Sequence, residues 1–469
     1  MGNEDFKLPP RWHCRSLVDC TKGGNISYGI VQPGQHQDDG IGIIRVNNIQ
    51  NGKISVADVL KVSHDIESKF SKTRLEGGEV LLTLVGSTGL SAITTKDLHG
   101  WNVARAIAVI KPSDEISAEW IHICLQSPYT KYFLDSRANT TVQKTLNLKD
   151  VKEIPLPIPP IEERMNLEKI YFDLDNKINL NLGINQTLEQ MSQTLFKSWF
   201  VDFDPVIDNA LDAGNPIPEA LQSRAELRQK IRNSADFKPL PADIRALFPA
   251  EFEETELGWV PKGWQTKSMH DLVESVSITF PLSKTDKVIF LNTGDIEKGS
   301  FLHQNYSKTE GLPGQAKKSI KKGDILFSEI RPENKRYAFV HFKSDDYVVS
   351  TKLMVLRAKN EINPLLPYFI ITLEDNTKKL QRIAELRSGT FPQITFKELE
   401  FISFIMPNND KIMKLFINSY LAPTYNKIIE TKKANINLIN LRDTLLPKLI
   451  SGELSLEDLP DLVAQTEPA

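Results

Sequence analysis

Apolar residues recur every three, four or seven positions through two long segments of this chain. After "PIPPIEER" they are Leu167, Ile170, Leu174, Ile178, Leu188 and Leu195; after "MPNND" they are Ile412, Phe416, Leu421, Ile428, Leu438, Leu445 and Leu449. That spacing predicts two amphipathic helices, over 161–200 and 409–455, each with the narrow apolar seam of a coiled coil. A helix of about 40 residues is roughly 60 Å long at 1.5 Å per residue. An offset of 250 residues lays Asn185 on Asn435 and Leu188 on Leu438. An Asn inside such a seam fixes helix register at some cost in stability; the alternative is that both face solvent.

The segments before each helix read as short strands and turns, and they read that way twice. "LPPRWHCRSLVDC" (8–20) and "VPKGWQTKSMHDL" (260–272) share Pro9/Pro261, Trp12/Trp264, Ser16/Ser268 and Asp19/Asp271 at constant spacing. Downstream, "GGEVLLT" (77–83) matches "KGDILFS" (322–328), each a Gly-acid turn feeding an apolar run of strand character. "NVARAIAVIKP" (102–112) matches "VVSTKLMVLRA" (348–358), and "NTTVQKTLNLKDV" (139–151) matches "GTFPQITFKELEF" (389–401). A unit this long is a duplicated domain, since solenoid repeats are shorter. The boundaries expected are a first α+β domain at 1–160, a helix at 161–200, a Pro-rich connector with short helices at 201–258, a second domain at 259–408, a second helix at 409–455 and a tail at 456–469.

Composition narrows the class. At 469 residues, 40% hydrophobic and 25% charged, the chain is an ordinary globular protein of more than one domain. "MGNEDFKLPP" has neither the basic start nor the apolar run of a signal peptide, and no segment has the length of a membrane span, which sets a cytoplasmic expectation. Three Cys without metal-type spacing read as free thiols. The net charge of −3 means that any nucleic-acid face is local or is completed by a partner. No P-loop, GxGxxG, GxSxG, HExxH or Asn/Asp-Pro-Pro-Tyr/Phe methyltransferase motif occurs, so no catalytic residue or metal ligand is assigned.

The polar loops carry the candidate chemistry. In the second copy Arg331, Lys335 and Arg336 follow a predicted strand and are interleaved with Tyr337; Arg387, Ser388, Thr390 and Gln393 lie in another loop. The first copy offers Ser87 and Thr88 in "VGSTG", then Arg105, Arg137, Asn139, Thr140, Gln143 and Lys144. Arg, Asn, Gln and Lys read base edges, while Lys and Ser/Thr anchor phosphates. Singly each is an ordinary solvated residue; matched positions in two copies favour a DNA-binding surface. A rival is a Mg²⁺-dependent nuclease using Asp324, Glu333 and Lys335, but Asp324 is also explained as the turn acid that both copies share. A second rival is a non-catalytic coiled-coil scaffold.

Taken together, "LPPRW" (8–12), "VPKGW" (260–264), "SGTFPQITFKELE" (388–400), "LFKSWFVDFDPV" (195–206), "LGWVPKGW" (257–264) and "LRDTLLPKLISGEL" (441–454) resemble the specificity subunit of type I restriction–modification enzymes, over essentially the whole chain. The resemblance implies two similar mixed α/β target-recognition domains separated by two long antiparallel helices forming a coiled coil. It implies one domain per half of a split, asymmetric DNA target, with the helices setting the unread gap. It also implies docking to two methylation subunits and to motor–nuclease subunits. The chain itself would hold no cofactor; S-adenosylmethionine, ATP and Mg²⁺ would belong to those partners.

Overall fold

The alternating segments form antiparallel strands, in the same order in both copies. The computed structural model describes residues 8–450 except 10, 51, 138, 141–143 and 257, together with Leu454. The chain divides into two compact units, Met1–Leu182 with Lys432–Ala469, and Gly183–Thr431. In the first, strands β1 (Thr21–Tyr28), β2 (Val80–Thr83), β3 (Ser91–Ile93) and β4 (Ile107–Pro112) make one sheet in the order β1-β4-β2-β3. In the second, β5 (Val273–Ser275), β6 (Ile325–Ser328), β7 (Tyr337–Phe339) and β8 (Leu353–Ala358) make the same sheet in the order β5-β8-β6-β7. Each copy also pairs its opening strand with the strand before its long helix, His13–Ser16 with Pro155–Ile158 and Trp264–Ser268 with Ser403–Pro407.

The central strands are buried on both faces, which is why they read as continuous apolar runs. Every residue of β2 and of β6 is buried. Successive side chains enter opposite cores. Val80 and Leu82 pack towards the helix Ala118–Gln126, and Leu81 towards Ile44, Leu75 and Val103. Ile325 and Phe327 join one core and Leu326 the other. The Gly before each acid supplies a left-handed turn, Gly78 at φ +97° and Gly323 at φ +96°. The acid then caps that turn. Glu79 accepts from the backbone N–H of Glu76 at 2.7 Å and of Gly77 at 3.0 Å. Asp324, fully buried, accepts from the Lys321 N–H at 2.8 Å and is gripped by Arg357 through Nε at 2.8 Å and Nη2 at 2.9 Å. Asp324 is therefore committed to the fold on both oxygens, while Glu333 is an exposed residue of a later turn.

The first long helix runs from Ile161 to Phe200. The second runs from Asp410 to Ile450, with a widened π turn at Ile417–Leu421. Pro423 lies just beyond that turn; it lacks an N–H and crowds the carbonyl a turn earlier, and a bulge is a common way to absorb both. Within the first unit the two helices are antiparallel: Asp175 meets Arg442 at 3.0 Å, and Asn181 Nδ2 donates to Asn435 Oδ1 at 2.7 Å. Asn435 Nδ2 donates in turn to the Ile178 carbonyl at 3.1 Å. Within the second unit the two helices meet through aromatic rings, Phe196 against Phe416 at 5.8 Å and Trp199 against Tyr420 at 5.6 Å between ring centres.

Asn185 and Asn435, at 6% exposure each, both lie in the seam rather than in solvent. They are not equivalent there. Asn435 is bonded to Asn181, whereas neither polar atom of Asn185 has a partner among the described residues. Leu188 and Leu438 are half-buried at neighbouring seam positions.

After the first long helix, the connector folds onto the second unit. Trp199, Phe200 and Phe203 of "KSWFVDFDPV" pack with Phe248 and Trp264. Helices Asp204–Ala213 and Gln222–Arg232 face each other through a ladder of ion pairs, Asp204–Arg224, Asp208–Arg228 and Asp212–Arg232. The four-residue spacing of acids on one helix and bases on the other follows the helical repeat. Among the described residues, no helix is long and apolar enough to cross a membrane, and no cluster of His, Cys, Asp or Glu is arranged to hold a metal ion.

Candidate nucleic-acid interface

The polar loops of each copy, far apart in sequence, are joined at one end of its central sheet. In the second unit the turn after β6 carries Arg331 and Lys335, and the loop after the helix Glu374–Arg387 carries Ser388, Thr390 and Gln393. Ile330 bridges to Gln393, the Ile394 N–H donates to the Glu329 carbonyl at 2.8 Å, and the Arg331 N–H donates to the Pro392 carbonyl at 3.1 Å. In the first unit the turn after β2 carries Ser87 and Thr88. Val85 bridges to Thr145, and the Leu146 N–H donates to the Leu84 carbonyl at 2.8 Å. The same junction is thus built twice.

The predicted residues have different fates within it. Arg331 and Thr390 are exposed, while Lys335, Ser388 and Gln393 are half-buried. Arg387 is exposed but ion-paired with Glu398 at 2.6 Å. Arg336 is turned inward, with Nη1 at 3.4 Å from the Gly294 carbonyl, 3.3 Å from that of Ile296 and 3.7 Å from Glu297. Tyr337, read from the sequence as a loop aromatic, is a core residue of β7. It stacks on Phe327 and meets Tyr368 edge-on, and burial pushes its hydroxyl pKa up to about 12. The misreading arises because the strand begins at Tyr337 and is buried on both faces, Tyr337 and Phe339 entering one core and Ala338 the other.

In the first unit Ser87 is exposed and Thr88 half-buried. Arg105 is exposed in the turn entering β4, where the Leu84 N–H donates to the Ala106 carbonyl at 2.7 Å, so it belongs to the same sheet end. Arg137 ends the helix Pro128–Arg137 with its guanidinium 3.7 Å over the Phe133 ring. Asn139 and Thr140 pair with Thr145 and Lys144 in a short hairpin. Gln143 lies outside the described residues.

Three residues absent from the sequence reading complete the junction. The buried Gln381 presents Oε1 to the Glu333 N–H at 3.3 Å and donates to Glu385 at 2.7 Å. Lys298 donates its backbone N–H to the Lys335 carbonyl at 2.9 Å. Lys352 approaches Glu329 at 3.8 Å. Gln381 had a legible signal, a polar residue between Leu380 and Ala384 on the apolar stripe of an amphipathic helix. The other two depend on contacts far along the chain.

Two copies of one α+β module, each exposing a basic or hydroxyl-bearing turn beside a polar loop and each followed by a long seam-forming helix, define a duplicated recognition chain. The family described as "Type I restriction modification DNA specificity domain" matches residues 33–190 and 261–440, well over half of the sequence, and the chain belongs to it. It is 41% identical over 185 residues to the type I restriction enzyme HindI specificity subunit of Haemophilus influenzae, a match spanning 39% of each chain. It is 24% identical over 393 residues to the MjaIX specificity subunit of Methanocaldococcus jannaschii, covering 81% of this chain and 79% of that one. The crystal structure of a type I restriction–modification S subunit from M. genitalium shares the fold, with a TM-score of 0.51 and 13% identity over 96% of this chain and 98% of the other.

Proposed function

We propose that this chain is the DNA-recognition subunit of a type I restriction–modification complex and reads a split target, one module per half-site. The observation that carries the reading is the joined loop pair at the sheet end, present in each copy and built from different side chains. The first copy offers Ser87, Thr88 and Arg105 there and the second Arg331, Lys335, Ser388, Thr390 and Gln393, so the two half-sites differ and the target is asymmetric. Cations and hydroxyls on exposed turns suit phosphate and base-edge contacts. The long helices set the unread gap. They also offer outward apolar positions at helical spacing, Leu180, Ile184 and Met191 on the first and Ile436 and Ile439 on the second, for docking two methylation subunits. Motor–nuclease subunits join that complex. Catalysis, with S-adenosylmethionine, ATP and Mg²⁺, resides in those partners, and the assembly works in the cytoplasm.

The test is to co-express the chain with its methylation subunit in a host lacking adenine methylation and to map modified adenines across the genome. A two-part motif with a fixed gap is expected. An assembled complex that methylates a continuous motif would contradict the reading.

A further inference from the structure

Aligning the two copies on their central strands sets Gly86 opposite Arg331 and Gly89 opposite Lys335. The match is fixed by the pairings Leu82↔Ser91 and Phe327↔Tyr337, and by the N–H of Thr83 to Leu90 and of Ser328 to Arg336. Gly86 and Gly89 take φ +77° and +83°, the left-handed region where glycine is unstrained. Arg331 and Lys335 take the same region at φ +44° and +54°. Long side chains there are strained and persist only where the surroundings over-determine the backbone.

The surroundings do so. The Arg331 N–H is held by Pro392, the Glu333 N–H by Gln381, and the Lys335 carbonyl by Lys298, itself at φ +45°. Three of the six non-glycine residues with positive φ among the described residues therefore meet at one turn, and all three are cations. A packing need would have been met by glycine, as in the first copy, where a Cβ at Gly86 would meet nothing within 4 Å.

Resting on the split-target reading, we infer that the strained turn Arg331–Lys335 is the specificity-determining element of the second module, and that Gln381 is its positioning residue. The strain places two cations on a rigid backbone, which lowers the cost of fixing them against DNA. Gln381 acts only through the turn, since its oxygen is on the Glu333 N–H and its amide on Glu385.

The experiment uses the full complex, mapping methylation by sequencing and following unfolding of the whole chain. R331G with K335G should leave the unfolding temperature no lower than in the parent. It should also reduce discrimination between the cognate second half-site and single-base variants of it by roughly tenfold or more. Q381L should relax the same half-site by a similar factor, with the other half-site and the gap unchanged. The exchange Q381E with E385Q keeps an acceptor facing the turn and should retain full discrimination. Unchanged motifs in all variants, alongside a parent that still methylates a split site, would overturn the inference and leave the split-target reading standing. A lowered unfolding temperature in the glycine variant would overturn the strain argument. Absence of a split motif in the parent would remove the reading itself.

Discussion

Replacing Arg357 by Met should destabilise the second module while leaving the first unchanged. The Asp324 side chain is fully buried and Arg357 retains 19% exposure, so the charge left behind is the carboxylate. Both of its oxygens lose an Arg N–H, and only the Lys321 N–H remains. Removing one partner of a buried ion pair costs about 3–5 kcal/mol because the other charge is left unpaired. For a module of this size each kcal/mol lowers the midpoint by about 2–4 °C, so a fall of roughly 6–20 °C follows. Scanning calorimetry of the full chain should show it as a shift in one transition alone. The double replacement R357M with D324L should recover at least half of the loss, since an apolar pair of similar volume leaves no buried charge. A loss under about 1 kcal/mol, or a double variant no more stable than R357M, would refute the assignment of Asp324 to the fold. That result would reopen the nuclease alternative.

The two seam asparagines should respond in opposite directions in chemical denaturation. N185L should stabilise the second unit by about 1 kcal/mol or more, because it removes buried polar atoms that have no partner among the described residues, whereas N435L should cost about 1–3 kcal/mol by stranding Asn181. Equal effects would contradict the inequivalence. His122 packs beside Tyr171 and Phe172 with Nδ1 at 2.9 Å from Ser91 Oγ, and burial, with a smaller contribution from Arg442, pushes its pKa down from 6.5 to about 4. The unfolded chain binds this proton first, so the stability of the first unit is full above pH 6.5 and is lost as pH falls towards 4. Between pH 7 and 5 the loss is about 2 kcal/mol. H122Q should remove that increment; a variant with an unchanged pH dependence would show that another group titrates.

The duplication and the long helices were legible because strand alternation and helical spacing are local patterns that each copy repeats. The Gly-acid turn was equally local, and it places Glu79 and Asp324 correctly without revealing that Arg357, a strand away, grips only the second. The candidate surface was half legible. Residue type and loop position marked Arg331, Lys335 and Ser87, but a strand buried on both faces begins at Tyr337, and carbonyls of a neighbouring hairpin captured Arg336. Asn185 and Asn435 looked identical at a fixed offset; what separates them is the opposing residue, Asn181 for one and, among the described residues, no bonding partner for the other. Gln381 left a trace as a polar residue on an apolar helix stripe, whereas Lys298 and Lys352 could not be found without knowing which loops meet.

The most direct test of the central claim lengthens both long helices by one heptad, which preserves the seam. Seven residues add about 10 Å at 1.5 Å per residue, close to three base pairs at 3.4 Å. Mapping methylated adenines in cells carrying the lengthened chain should return both half-sites unaltered, with the gap between them increased by about that number. Altered half-sites, or an unchanged gap in an active complex, would contradict the account.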